Sequence, residues 1–71
     1  MEINDLTKDV KRLLLRHWSV NEIADRLKDP EYFFQQVVIP RFDYLRRQGE
    51  DVPRVRVHRT PAGDIKVFLN D

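Results

Sequence analysis

The chain has 71 residues and forms one domain, and a domain of this size buries only about 60% of its unfolded surface. It contains no cysteine, which excludes a disulfide framework and a cysteine-based metal site. A hydrophobic content of 41% with only two glycines indicates a globular rather than a disordered chain. Since no stretch reaches the roughly 18 apolar residues of a membrane span and the polar N-terminus is unlike a signal peptide, we expect a cytoplasmic protein.

The positive charge is concentrated toward the C-terminal end, although the net charge is only +1. Residues 1–40 hold six Lys or Arg against seven Asp or Glu, whereas residues 41–66 hold seven against four. Nearly all of the later basic residues are arginines, which form paired hydrogen bonds with phosphate and with guanine. Charge alone leaves two interpretations open: a nucleic-acid surface, or a solvated surface with surplus charge.

The first predicted helix begins at a cap formed by Asn4 or Asp5 and ends near His17. Trp18 follows it and is expected to fill the core, packing against the second helix, rather than to meet a partner. Apolar residues recur at three- and four-residue steps and give the helix one broad apolar face. This face consists of Leu6, Val10, Leu13, Leu14 and His17.

The second predicted helix covers about Val20 to Lys28. Ser19 and Glu22 have the spacing of a capping box, in which each side chain bonds to the backbone N–H of the other residue. Asp29 is a strong N-cap for a third helix, and Pro30 suits the first helical position. The apolar face of the second helix consists of Val20, Ile23, Ala24 and Leu27.

The third predicted helix continues to Gln48, because apolar residues hold helical spacing on both sides of Pro40. This continuity favours a single helix kinked at the proline, and a break with a separate helix from Pro40 is the alternative. Gly49 is a suitable C-terminal stop. Arg46 and Arg47 would interact favourably with the dipole of the last turn.

Two alternating runs around the turn residues 60–63 predict a C-terminal β-hairpin. The apolar face, expected to close the helical core, consists of Val55, Val57, Ile65, Val67 and Leu69. The opposite face carries Arg54, Arg56, His58 and Lys66, with Arg59 near the tip. The predicted fold is therefore α+β, a single winged helix-turn-helix domain over residues 1–71 with three helices and a hairpin wing.

The stretch from Ser19 to Leu27, SVNEIADRL, resembles the first motif helix of many bacterial transcription regulators. Ala24 occupies the position where those proteins have a small residue for close helix approach. With Tyr32 and Phe33 following, the stretch is similar to the arabinose-regulator type, although that type uses two motifs and no wing. The overall layout resembles the small winged-helix excisionases and repressors of phages and mobile elements. The resemblance implies a DNA-binding regulator that acts as a homodimer.

Our leading hypothesis is sequence-specific binding of double-stranded DNA, with the third helix in the major groove and the hairpin on the backbone. Gln pairs with adenine, Glu accepts from cytosine, and Tyr contacts a phosphate or a thymine methyl. An arginine near the hairpin tip suits the minor groove. The expected contact residues are Glu31, Tyr32, Gln35, Gln36, Arg41, Arg54, Arg56, His58, Arg59 and Lys66. Because the residues expected to read bases, Glu31, Tyr32, Gln35 and Gln36, include no Lys or Arg, an ordinary solvated helix is the alternative.

Two further functions remain open. One is an architectural, excisionase-like factor, which would bend DNA. The other is a winged helix used for protein contacts, because the third helix has more apolar side chains than one face can bury. Either a second copy covers the surplus, or the small domain wraps around it. The residues concerned are Phe33, Phe34, Val37, Val38, Ile39 and Phe42.

Enzymatic activity is the third class, and the sequence argues against it. His17 lies toward an apolar face, and Asp25 and Asp29 have the positions of a helix surface and a cap. The only glycines are Gly49 and Gly63, so there is no glycine-rich phosphate loop. We therefore expect no catalytic residues, metal, cofactor or small-molecule substrate.

Overall fold

The computed structural model describes residues 1–70 as three helices followed by an antiparallel hairpin. This order confirms the predicted α+β layout. Within these residues, no helix combines the length and the apolar character that crossing a bilayer requires. The elements are a 3-10 turn (Ile3–Asp5), helix α1 (Lys8–Leu15), helix α2 (Val20–Arg26), helix α3 (residues 30–47) and strands β1 (Arg54–Arg59) and β2 (Ile65–Asn70).

Helix α1 begins later than predicted, because Thr7 is its cap. The Thr7 hydroxyl accepts a hydrogen bond from the Val10 N–H at 3.3 Å. Asp5 instead accepts from the Glu2 N–H at 2.9 Å and closes the preceding 3-10 turn. The predicted cap at Asn4 or Asp5 was therefore wrong. Several good capping residues compete here, and packing rather than capping preference selects among them.

The caps of the next two helices form largely as predicted. The Ser19 hydroxyl accepts from the Glu22 N–H at 3.2 Å. The Glu22 carboxylate accepts from the same hydroxyl at 3.2 Å, so the two side chains bond to each other. Asp29 accepts from the Tyr32 N–H at 3.5 Å, and Pro30 follows it at the first helical position. Backbone donors at both N-termini are thereby paired.

The apolar face of α2 is narrower than predicted. Ile23 and Leu27 are fully buried, but Val20 is 53% exposed and Ala24 is exposed. The expectation that Ala24 permits a close helix approach was therefore wrong. The helix also ends at Arg26, two residues before the predicted end.

Helix α3 runs without a break through Pro40, as the apolar spacing predicts. A proline inside an α-helix removes one backbone hydrogen bond and crowds the carbonyl four residues earlier. Here π-helical turns come directly before the proline, and the Ile39 N–H donates to the carbonyl of Phe34, five residues back. These wider π-helical turns move the backbone carbonyls out of their α-helical positions, where the ring of Pro40 would crowd them. The segments are α-helical Pro30–Tyr32, π-helical Phe33–Val38 and α-helical Ile39–Arg47.

The end of α3 confirms the role predicted for Gly49. Its φ of 89° lies in the left-handed region that favours glycine. The Gly49 N–H donates to the carbonyl of Arg46 at 3.0 Å, and the Glu50 N–H donates to the carbonyl of Leu45 at 3.1 Å. These two bonds form a Schellman motif, which satisfies carbonyls that the helix leaves unpaired.

Arg46 anchors the linker between α3 and β1. Its guanidinium donates to the carbonyl of Val52 at 3.4 Å and to that of Pro53 at 3.2 Å. It also forms an ion pair with Asp43, one turn earlier. Arg46 therefore does more than interact with the helix dipole, because it binds the backbone of the linker. These bonds hold the start of β1 beside α3.

Strands β1 and β2 pair so that the residues of the predicted apolar face lie on one side of the hairpin. Val57 lies opposite Val67, and Val55 lies opposite Leu69. Val55 and Val67 are buried, and the remaining inward side chains are partly buried against the core. The connecting turn is closed by the Thr60 N–H, which donates to the carbonyl of Asp64 at 2.7 Å.

Helix α3 supplies the centre of the core. Phe33, Phe34, Val38 and Phe42 are each at most 1% exposed. The Trp18 ring meets Phe33 edge-on with centroids 5.5 Å apart. Trp18 therefore packs, partly buried, against the core as expected, and its ring contacts α3. Of the apolar residues of α3 that a second copy was expected to cover, the chain itself buries the four named first and packs Val37 and Ile39, partly buried, against the core.

Candidate nucleic-acid interface

The first half of α3 presents one polar surface. Glu31, Tyr32, Gln35 and Gln36 are all exposed and line one shallow concavity together with Asp29. The core side chains of the same turns, Phe33 and Phe34, point inward. The four residues predicted to contact bases therefore lie together.

A groove runs between α3 and β1. Gln35 lines it from the helix, and Arg54 and Arg56 line it from the strand. Asp43 and Arg46 border its other end. The groove therefore brings predicted base-contacting and backbone-contacting residues from two separate elements to one place.

The outer face of the hairpin is the side turned away from the helices. Alternation and register place three directly opposed pairs on it, Arg54 with Asn70, Arg56 with Phe68, and His58 with Lys66. All six residues are exposed, and none is acidic. Within residues 1–70, the three basic side chains on this face have no carboxylate partner. The face therefore carries an uncompensated positive charge.

Phe68 is the member of this surface that sequence reasoning missed. It is 44% exposed and lies directly across from Arg56. The signal was present, because Phe68 alternates with the inward-facing Val67 and Leu69 in the same strand. A large apolar side chain on the polar side of an alternating strand marks a surface feature rather than a core residue.

Arg59 and Glu31, both predicted to contact DNA, form an ion pair with each other. In the register Arg59 lies opposite Ile65, on the side of the hairpin that faces the helices. The hydrogen bond from Arg59 to Glu31, together with the charge of that carboxylate, raises the pKa of Arg59. The pair links the end of β1 to the start of α3 and offsets the negative charge of Glu31.

Arg41 is exposed on α3 beyond Pro40, outside the residues that line the two concavities. It therefore does not share a concavity with Gln35 and Gln36. Comparisons of the chain with protein-family models, with curated proteins and with solved structures gave no match.

Proposed function

We propose that the chain is a winged helix-turn-helix protein that binds double-stranded DNA, with the first half of α3 in the major groove. The groove shared by Gln35, Arg54 and Arg56 carries the proposal. It brings Gln35, whose amide suits base edges, beside the strand that carries Arg54 and Arg56, whose guanidinium groups suit phosphates. A duplex on this side would meet both elements at once.

The chemistry divides between the two elements. Gln35 and Gln36 pair with adenine, and Tyr32 reaches a thymine methyl or a phosphate. Asp29 and Glu31 bring negative charge to the start of α3, which opposes phosphate binding there. The attraction to the backbone must therefore come from the hairpin, whose outer face has no carboxylate among residues 1–70.

The test uses a duplex selected from a random library by binding to the protein. We expect Gln35→Ala to weaken binding to that duplex by about 1–3 kcal/mol and to leave binding to random duplexes unchanged. Arg56→Ala should weaken binding to every duplex and lower the salt slope by about 1, because one phosphate contact is lost.

Arg26→Ala is the matched control, since Arg26 is exposed on α2, away from the groove. If neither Gln35→Ala nor Arg56→Ala differs from this control in an anisotropy titration, the assignment is wrong.

A role in transcription regulation would use two copies, because half-sites are paired along DNA. The largest apolar residues of α3, Phe33, Phe34 and Phe42, are buried within the chain, so we propose that two copies meet on DNA rather than through this helix. Light scattering should show a monomer in free solution and two copies on a paired site. An excisionase-like role predicts strong bending, which a circular-permutation mobility assay detects.

A further inference from the structure

Phe68 stands among cationic side chains on an open sheet surface. Arg56 lies directly opposite it, and Lys66 precedes it by two residues on the same face. The opposed pair His58 and Lys66 extends the cationic surface toward the turn. Six-residue strands rise about 3.3 Å per residue, so this face is roughly 17 Å long.

We propose that the outer face of the hairpin binds a short run of unpaired nucleotides, with a base stacked on Phe68. Stacking needs an accessible aromatic ring, and the phosphates on either side of the base need cations within reach. Phe68 supplies the ring, and Arg54, Arg56 and Lys66 supply the cations. Stacking tolerates any base, so the expected preference is for single-stranded nucleic acid rather than for a sequence.

Charge decides the class of occupant. As far as Asn70, where the described part of the chain ends, the outer face carries basic side chains, one half-exposed aromatic ring and no carboxylate. Its complement is therefore a polyanion that also offers flat aromatic groups. Nucleic acid has both properties. In a duplex the bases are stacked on one another, and their faces are closed to Phe68. Unpaired nucleotides leave those faces open.

The simpler role for Phe68 is stabilisation of the hairpin through its contact with Arg56. Cross-strand pairs of this kind contribute roughly 0.2–1 kcal/mol. This role would explain an effect of Phe68 on stability, but it predicts no preference for bases. The experiment therefore compares ligands that have the same charge and differ only in whether bases are present.

The probe is a fluorescent single-stranded thymidine oligomer of about 12 nucleotides, within the site sizes of single-strand binding modules. Its partner is an abasic oligomer of the same length and charge. Titrations use the full chain and anisotropy. We expect wild-type protein to prefer the thymidine oligomer, and Phe68→Ala to weaken that binding roughly 5- to 150-fold, which corresponds to 1–3 kcal/mol of stacking. Binding of the abasic oligomer should not change.

Tyr44→Ala is the matched control, because Tyr44 is a 57% exposed aromatic residue on the second half of α3. It should leave both titrations unchanged. Phe68→Trp keeps an aromatic ring at the site and should bind the thymidine oligomer with quenching of the new indole fluorescence. This variant keeps the test informative if Phe68→Ala fails to fold.

Equal binding of the two oligomers by wild-type protein would overturn the proposal and leave only charge attraction. An equal loss in Phe68→Ala and Tyr44→Ala would also overturn it. The inference shares Arg54 and Arg56 with the proposed duplex function but does not depend on Gln35. Failure of the duplex function would appear as an unchanged Gln35→Ala titration, whereas failure of this inference would appear as base-independent binding.

Discussion

Helix α3 and the outer face of the hairpin use their side chains in opposite ways. The helix directs its largest apolar residues into the core, and two of its carboxylates, Glu31 and Asp43, are paired with arginines. The cations of the outer face have no carboxylate partner within the described residues 1–70, and Phe68 is half exposed. The difference teaches that the helix chiefly determines the fold, whereas the outer face of the hairpin leaves charged and aromatic side chains available to a ligand.

The same substitution in the two regions should have very different effects on stability. Phe34→Ala removes a fully buried ring and should cost about 3–5 kcal/mol. In a domain of this size such a loss lowers the Tm by about 12 °C or more. Phe68→Ala should cost less than about 1 kcal/mol. Circular dichroism melting curves measure both, and equal shifts would contradict the division between core and surface.

Glycine substitutions test whether the two regions unfold together. Gly49 ends α3 and Gly63 lies in the hairpin turn, both with a φ of 89°, and an added Cβ would meet no atom within 4 Å at either site. Only backbone strain is then introduced, so each change to Ala should cost about 1–2 kcal/mol. Both should shift the whole melting curve similarly, since Val55 and Val67 belong to the same core as the helices. Separate transitions for hairpin and helices would contradict this account.

Glu31→Gln gives the smallest expected change in stability. It tests the contact between the two regions, because Glu31 of α3 is paired with Arg59 of β1. It removes an exposed ion pair with Arg59, and exposed pairs contribute little. The Tm should stay within error of wild type. Affinity for duplex DNA should rise severalfold, because a carboxylate is lost and an arginine is released beside the proposed interface. Reduced affinity in the same anisotropy titration would place Glu31 among groups that bind DNA directly.

The elements that the sequence predicts well are those with a local physical cause. The Schellman end at Gly49 follows from glycine's access to positive φ, and the caps at Ser19 and Asp29 follow from side chains that reach the first-turn amides. The two faces of the hairpin follow from alternation. Each of these features depends on residues a few positions apart.

The features that the sequence did not predict depend on contacts between distant residues. Thr7 rather than Asp5 caps α1, and Trp18 packs on α3, because tertiary packing chooses among locally similar options. The ion pair between Arg59 and Glu31 joins residues 28 positions apart. The π-helical turns before Pro40 allow one continuous helix to contain a proline. The spacing of apolar residues predicts the continuous helix but not these turns.

The most direct test of a nucleic-acid surface on this protein is an anisotropy titration of random duplex DNA at about 50 and 200 mM salt. Three phosphate contacts from the hairpin, made by Arg54, Arg56 and Lys66, should reduce affinity roughly 40-fold over this range, since each contact releases counterions. The Arg56→Ala, Lys66→Ala double variant should lower the slope by about 2. No binding at low salt, or binding that does not depend on salt, would contradict the account.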